Sequence, residues 1–350
     1  MSGMPFQKSP IQFGIFDWIE WDKRPAGEIY EQRLKMLEFA DEAGFFCYHL
    51  AEHHVTPHSL VPSPGLFLSA AAQRTSHIRL GPLVYLLPLY NPLRLLQEIC
   101  MLDHLCQGRL ELGIGRGSSP FELVPYNISV EESRNIFLET LDIVVTGFTH
   151  DVFSYEGNYF SYRDVRLWMR PLQEPFPPLW YPTYNRESIP WVARHGFNTA
   201  SIFNPSSEVK PLFDLYKQVW QQHQSESDRL NSHVSIPKLA LVRHVYVAHT
   251  DLQAEQEARA AFAAWFHNIN FLWAQAGSRR LDFISSFDAL KNSEVIIAGS
   301  PLTVQKQVNR AIEETGSNYF CCIFAFGDLS HEQVMASISM FVRDVMPTFQ

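Results

Sequence analysis

Eight short apolar runs with strand-like composition recur along the chain, and helix-like segments separate most of them. The runs cover residues 11–17, 45–51, 78–87, 109–115, 179–183, 198–203, 239–248 and 318–326. Most are nearly continuously apolar, which is typical of parallel strands that helices cover on both faces. Eight such strands predict an α/β fold, and specifically a (β/α)8 TIM barrel.

The segments between the runs carry residues that begin and end helices. Proline or Ser-Pro begins three of them and glycine ends them, at residues 25–44, 92–108 and 300–316.

Two connections are too long for one helix and predict insertions. After the fourth strand, residues 153–160 predict a hairpin around Gly157-Asn158. After the seventh, the aromatic residues of 268–294 predict a lid. No repeat or linker divides the sequence, so residues 1–350 are expected to form a single domain.

The composition excludes several classes of protein. With 46% hydrophobic and 13% aromatic residues, the chain has enough apolar side chains for a large core. The net charge is −9 and no Lys/Arg run is present, so a nucleic-acid partner is not expected. The sequence has no apolar stretch typical of export or membrane spanning, which favours a cytoplasmic enzyme. The cysteines are odd in number and lie in apolar segments, so buried, reduced thiols are expected.

Polar residues follow three of the apolar runs, where the active site of an α/β barrel is built. The second run ends in Ala51-Glu-His-His54 and the fourth in Gly113-Ile-Gly-Arg-Gly117. Adjacent His53 and His54 on an extended segment point to opposite faces, so only one readily faces the barrel mouth. The spacing of a zinc-binding H-E-x-x-H helix is absent, and no metal site is predicted. Arg116 beside the glycines suits a phosphate or a flavin edge, although a tight turn with a solvated arginine fits equally well.

Two further segments lie where helices are expected to begin. Asn185, Arg186 and Ser188 follow the fifth run, and Ala298-Gly-Ser-Pro301 occurs late in the chain. The free N–H groups and the dipole of a helix start attract a phosphate, but the same residues also serve as ordinary helix caps. The local sequence does not choose between these two interpretations.

Taken in order, these motifs resemble the bacterial luciferase-like, flavin-dependent monooxygenase family over nearly the whole chain. The resemblance rests on residues 51–54, 87–92, 103–109 with 113–117, 298–301 and 344–347. It implies a barrel that binds reduced FMN, usually supplied by a separate flavin reductase. In this family the flavin reacts with O2 to give a flavin peroxide, which oxygenates a small organic substrate.

The resemblance also implies roles for particular residues. His53 would be the catalytic acid/base near the isoalloxazine ring, and Arg116 would contact the phosphate side of FMN. Asn185 and Ser188 would complete the phosphate site. Tyr184 belongs to the same cofactor-binding loop, although luciferases have an acidic residue there.

Two more positions follow from the resemblance. The peptide bond between Leu83 and Val84 is expected to be cis, forming a bulge behind the flavin. Gly115 stands where luciferases carry a reactive cysteine, which argues against light emission and against an aldehyde substrate.

Alternative functions remain open at this point. A relative that transfers hydride with a deazaflavin coenzyme would need a basic mouth, and Arg116, Arg186, Arg279 and Arg280 are available. A non-catalytic flavin-storage protein is less favoured because all eight strands and His53 are present. A metal-dependent hydrolase is disfavoured because the strand ends lack several carboxylates.

A homodimer is expected through the helices after the second and third strands, since residues 63–72 are apolar and small. The alternative is that the insertion buries this helix.

Overall fold

The computed structural model describes residues 10–117 and 119–349. Twelve strands occur in this part of the chain: β1 Gln12–Asp17, β2 Cys47–Leu50, β3 Arg79–Pro82, β4 Tyr85–Leu86, β5 Leu112–Gly115, β6 Val152–Glu156, β7 Ser161–Arg166, β8 Leu179–Trp180, β9 Thr199–Ser201, β10 Leu239–Val247, β11 Ile296–Gly299 and β12 Tyr319–Ile323. Eleven α-helices alternate with them: α1 Ala26–Glu42, α2 Pro64–Ala72, α3 Pro92–Leu105, α4 Pro120–Leu123, α5 Val130–Thr149, α6 Ile189–Arg194, α7 Ser206–His223, α8 Asp251–Gln275, α9 Phe287–Asn292, α10 Pro301–Thr315 and α11 His331–Met340.

The sheet is mostly parallel and curled. Its longest path runs β11-β10-β12-β1-β2-β3, with β9 also paired to β10, and a second path runs β4-β5-β8. Isolated parallel bridges join Leu80 to Leu110 and Trp180 to Asn198, which connect the two paths at both ends. The expected α/β class, with parallel strands alternating with helices, is therefore confirmed.

The central strands of the sheet are fully buried. All nine residues of β10 are buried, as are all five of β12. Strands covered on both sides have no solvent face, so they show no polar alternation. This explains why the runs are nearly continuously apolar in the sequence.

The helix ends follow the proline and glycine signals. Asn91 caps α3 with its side chain, which accepts a hydrogen bond from the backbone N–H of Arg94. Gly316 ends α10 in the left-handed conformation at φ 62°, and its N–H donates to the carbonyl of Ile312. Glycine adopts this conformation without the penalty that a Cβ imposes. The predicted ends of these helices are confirmed to within a few residues.

The structure also departs from the expected elements. The third run is divided into β3 and β4 by the Leu83–Val84 peptide bond, which is cis as expected. The segment Ile296–Gly299 is the additional strand β11, which the sequence analysis did not predict. Residues 268–275 form the end of the long helix α8 and Phe287–Asn292 form the helix α9, so much of the segment expected to be a lid loop is helical. The expected hairpin is present as the antiparallel pair β6 and β7.

Two further expectations concern cysteines and membranes. All five cysteines are unpaired and buried: Cys47, Cys100, Cys106, Cys321 and Cys322. Within the described residues, no helix combines the length and the apolar character that a membrane span requires.

Candidate functional site

A cavity of about 740 Å³ opens at the carboxyl ends of β1, β2 and β12. Its walls come from the loops that follow these three strands and from the inner face of α8, and they include Trp21, Pro57, Asn268, Phe271 and Gly327. Cavities of this size hold small organic molecules, and in α/β folds of this type the site lies at this end of the strands. The cavity is therefore the candidate site.

Asp17, the last residue of β1, is held by several buried contacts. Asp17 is buried and accepts hydrogen bonds from the N–H of Ile19 at 2.9 Å and from the Tyr48 hydroxyl at 3.0 Å. Its carboxylate also forms an ion pair with buried Arg33 at 2.8 Å. These contacts turn the chain immediately after the strand. The turn brings Trp18 and Glu20 into the buried interior.

His53 lies directly after β2 and is held by a carboxylate. Its Nδ1 is 2.9 Å from Oε1 of Glu122, which is carried by the short helix α4. Burial alone would lower the pKa of His53, but the Glu122 carboxylate outweighs it and raises the pKa above its ordinary value. Glu122 responds in the opposite sense: burial raises its pKa, but His53 and the backbone N–H of His54 bring it below its ordinary value. The pair can thus hold and release a proton.

His54 points away from His53 and is fixed from both sides. Its Nε2 is 2.7 Å from the carboxylate of buried Glu52, and its Nδ1 is 2.8 Å from the Tyr126 hydroxyl. Glu52 also accepts hydrogen bonds from the Tyr90 hydroxyl and from the N–H of Leu86. Both nitrogens of His54 are occupied, so its role is to position the loop. This agrees with the expectation that one histidine faces the site and the other packs.

A second buried pair lies beside His53. Glu20 is 3% exposed and accepts hydrogen bonds from the N–H of Gly327 at 2.8 Å and from the Asn268 amide at 3.3 Å. Burial raises the pKa of its carboxyl to about 8. His58 lies 3.6 Å from Glu20, and its ring centre is 5.0 Å from that of His53. The site therefore contains more titratable groups than the sequence analysis proposed.

Aromatic side chains close the interior around a third histidine. His244 of β10 is stacked against Trp18 with ring centres 5.7 Å apart, and it meets Trp265 and Phe326 edge-on. Burial lowers the pKa of His244 to about 3, so this imidazole stays neutral. Aromatic rings therefore surround the buried His244 at this end of the sheet.

The Leu83–Val84 bond lies against β5. A Cβ added to Gly113 would overlap the Pro82 carbonyl and the Leu83 side chain, and one added to Gly115 would overlap the Val84 side chain. The glycines of this motif therefore allow the strand to approach the bulge closely. At Gly115 the same contact leaves no room for a cysteine side chain without movement of Val84.

The other expected cofactor-binding residues follow β5 and β8, away from His53. Arg116 is exposed immediately after β5. Tyr184, 58% exposed, and Asn185 belong to the loop after β8. Ser188 precedes α6, and its N–H donates to the carbonyl of Asn185 at 3.0 Å. In the sheet, β3 and β5 lie between β2, which precedes His53, and β8, which precedes this loop. The expected residues therefore form two groups, with His53 in one and the loop after β8 in the other.

Several residues of the site escaped the sequence analysis. Glu122 lies 69 residues after His53, and no local pattern joins the two. Glu20 and His58 were easier to predict, because each lies in the loop that follows an apolar strand. The strand-end rule was applied to the second, fourth and fifth strands, and it finds Glu20 when it is also applied to the first.

Comparison with known proteins identifies the family. A family model described as luciferase-like monooxygenase matches residues 11–317. The chain belongs to the luciferase-like monooxygenase family. The expected enzyme class, a flavin-dependent oxidoreductase of the monooxygenase type, is thereby confirmed. An uncharacterized protein of Sinorhizobium fredii is a relative with 40% identity over 322 residues, which is 92% of each chain.

Two other members carry functional names. The oxygenase component of flavin-dependent trigonelline monooxygenase from Acinetobacter baylyi is 25% identical, covering 97% of this chain and 96% of its own. The oxygenating constituent of 3,6-diketocamphane monooxygenase from Pseudomonas putida was solved in complex with FMN. It superposes with a TM-score of 0.80 at 22% identity, over 97% and 99% of the two chains. At that identity the likeness shows the fold alone.

Proposed function

We propose that this luciferase-like monooxygenase is the oxygenase component of a two-component system, and that it uses reduced FMN and O2 to oxygenate a small organic substrate. A separate flavin reductase would supply the reduced FMN. The observation that carries the proposal is the His53–Glu122 pair after β2; the same loop goes on to supply Val55 and Pro57 to the wall of the cavity of about 740 Å³.

The residues at this end fit a polar, planar ligand. Within the described residues, both ring nitrogens of His244, the Ser201 hydroxyl and the Trp265 indole N–H are buried without a hydrogen-bond partner. Buried polar groups without partners are costly, and a ligand with several donors and acceptors would satisfy them. We infer that the ring system of FMN lies between the Leu83–Val84 bulge and these groups.

The phosphate end of FMN would lie at the other group of residues. Arg116 supplies a fixed positive charge at the end of β5, and the side chains of Tyr184, Asn185 and Ser188 supply hydroxyl and amide donors. Arg116, Tyr184 and Asn185 are exposed and therefore accessible to a charged phosphate. Solved structures with this fold include an FMN complex and F420-dependent enzymes, so the fold accommodates both coenzymes; the match to a monooxygenase family is what favours FMN.

Bound reduced FMN supplies the electrons that activate O2, and the protein's own residues control protons and water. Because the Glu122 carboxylate only accepts hydrogen bonds, His53 donates from Nδ1 and its Nε2 is left to bind or release a proton. The raised pKa of His53 keeps this proton available near neutral pH. Trp273 packs edge-on against Phe121 of α4 at 5.0 Å, which helps to cover the mouth. Exclusion of water protects reactive oxygen chemistry.

We further infer the architecture that supports this function. The two bridges at Leu80–Leu110 and Trp180–Asn198 support closure of the parallel strands into an eight-stranded barrel within a single domain. A homodimer through α2 and α3 is supported by exposed apolar side chains on both helices, Leu66 at 76% and Met101 at 56%. Light scattering of the wild type and of Leu66→Lys tests the dimer.

Stopped-flow absorbance tests the proposed function. The protein is mixed with reduced FMN and then with O2, and the return of oxidised FMN is followed. We expect wild type to bind reduced FMN and to change its oxidation rate, and His53→Ala to alter that rate by at least about tenfold. His77→Ala is the matched control, because the His77 side chain is 82% exposed.

Three outcomes would contradict the proposal. The first is that reduced FMN is oxidised at the same rate with and without protein. The second is that His53→Ala behaves like the His77 control. The third is that a reduced deazaflavin binds while FMN does not, and hydride transfer proceeds without O2 consumption; this would support the deazaflavin alternative.

A further inference from the structure

Four titratable side chains form a continuous row from the rim of the site into its floor. Glu122 lies 2.9 Å from His53, the rings of His53 and His58 are centred 5.0 Å apart, and His58 Nδ1 lies 3.6 Å from Glu20. Carboxyl groups form the two ends of the row and imidazoles form its middle. The proposed function uses only the two members nearest the rim, Glu122 and His53.

Glu20 is surrounded by groups from several elements. Asp17 ends β1, three residues before Glu20, and pairs with Arg33 of α1. Asn268 extends from α8, and the N–H of Gly327 comes from the loop after β12. Burial and the charge of Asp17 favour the neutral carboxyl, whereas the two hydrogen bonds and Arg33 favour the carboxylate. Burial dominates, and the pKa of about 8 leaves Glu20 protonated at neutral pH.

His58 is suited to transfer protons without holding charge. It is 2% exposed, and neither ring nitrogen has a hydrogen-bond partner within the described residues. Burial, together with the charge of His53, lowers its pKa well below the ordinary value. A neutral imidazole donates from one nitrogen and accepts at the other. Its Nδ1 lies 3.6 Å from Oε1 of Glu20, just beyond hydrogen-bond distance.

We propose that Glu20 stores a proton for His53 and delivers it through His58. The carboxyl proton of Glu20 moves to His58 Nδ1 while the proton on His58 Nε2 moves to Nε2 of His53. Glu20 becomes a carboxylate, His58 stays neutral with its proton on the other nitrogen, and His53 becomes an imidazolium beside Glu122. The number of protons and the net charge are unchanged.

This inference rests on the proposed function, because it explains how His53 regains a proton that it has donated in the site. The aromatic walls and the cover over the mouth restrict water at this position, so an internal source removes the need to open the site. Glu20 and His58 act through His53 and are therefore positioning residues. His53 remains the group that faces the reaction.

The first test is a titration of the protein without flavin. Histidine labelled with ¹⁵N is followed by NMR between pH 5 and 10, and His58 is assigned with His58→Phe, which keeps an aromatic ring against Trp18. We expect the His58 signals to change near pH 8, and we expect this change to disappear in Glu20→Gln. Glu139→Gln is the matched control, since Glu139 is a buried glutamate that binds backbone N–H groups of the distant β6–β7 turn.

The second test is the pH profile of reduced FMN oxidation by the protein. The wild-type rate is expected to fall about tenfold per pH unit above pH 8, as one ionising group requires. Glu20→Gln and His58→Phe should each lower the rate at pH 7 by at least about tenfold and flatten the profile. Because the two residues act in series, the double variant should be no slower than either single variant.

The outcomes separate this inference from the function it rests on. If wild-type His58 shows no change between pH 7 and 9, or if the two variants slow oxidation additively, the proton relay is wrong. If His53→Ala alters flavin oxidation but Glu20→Gln and His58→Phe do not, only this inference fails. If the titration is as expected but FMN does not bind, the proposed function fails and the Glu20–His58 pair stands.

Discussion

Replacing Glu122 by glutamine isolates the charge that holds His53. The amide has the shape of the carboxylate and still accepts a hydrogen bond, but it carries no charge. Two unit charges about 4 Å apart attract by about 4 kcal/mol at an effective dielectric constant of about 20. His53 is 32% exposed, which weakens this attraction, and the retained hydrogen bond reduces the loss further. We therefore expect the pKa of His53 to fall by about one pH unit, which is about 1.4 kcal/mol.

The sign of the pH dependence follows from the two shifts. The pKa of His53 is raised on folding, so its contribution to stability is complete below the ordinary value of 6.5 and is lost as the pH rises through the folded value. The pKa of Glu122 is lowered on folding, so its contribution is present above the ordinary value of 4.5 and is lost as the pH falls through the folded value. The pair stabilises the fold most between these two ordinary values.

Urea unfolding at pH 5.5 and at pH 9 measures this dependence. Glu122→Gln should lower the midpoint at pH 5.5 by more than at pH 9, with a difference of about 1 kcal/mol in the free energy of unfolding. Glu226→Gln serves as a control, because the His223–Glu226 pair is more exposed and should change less. Equal destabilisation at the two pH values would refute the reasoning, since it would show that shape and not charge links Glu122 to His53.

Two further changes test how the site is supported. Gly113→Ala should lower stability by about 1–3 kcal/mol, because the added Cβ overlaps the backbone of β3, whereas Gly27→Ala meets no neighbour and should be neutral or slightly stabilising. Thermal unfolding of both variants measures this, and equal melting temperatures would contradict it. Asp17→Asn leaves buried Arg33 without its ion-pair partner and should cost about 3 kcal/mol in urea unfolding. Asp151→Asn, at an exposed pair, should change nothing measurable, and a similar loss in both would contradict the argument.

The repeat of buried strands could be read directly from the sequence, because burial on both faces leaves a continuous apolar run. The helix ends at Asn91 and Gly316 could be read for a similar reason, since capping depends on neighbouring residues. The local rule that polar residues follow a strand pointed to residues 51–54, and the family resemblance then singled out His53. Signals of this kind act within a few residues of the chain, and one sequence is enough to show them.

The short strand β11 escaped because its apolar run ends in Ala298-Gly-Ser-Pro301, which was interpreted only as a helix start. Its pairing with the second half of β10 depends on the length and twist of β10, which the local sequence does not report. The last turns of α8 were interpreted as a lid because their aromatic residues suggested a cover. Packing beside the cavity at Phe271 and against Phe121 at Trp273 keeps them helical.

The sequence by itself determined the α/β class and predicted a site at the strand ends, because both depend on a repeating pattern or on the end of a strand; the proposal of His53 came from the family resemblance. Only the tertiary structure decided what surrounds His53. Glu122 and Glu20 come from separate parts of the chain, and only the curled sheet brings them to opposite ends of one row of side chains. Their charges depend on burial and on partners distant in sequence, so the protonation of the site is a property of the fold.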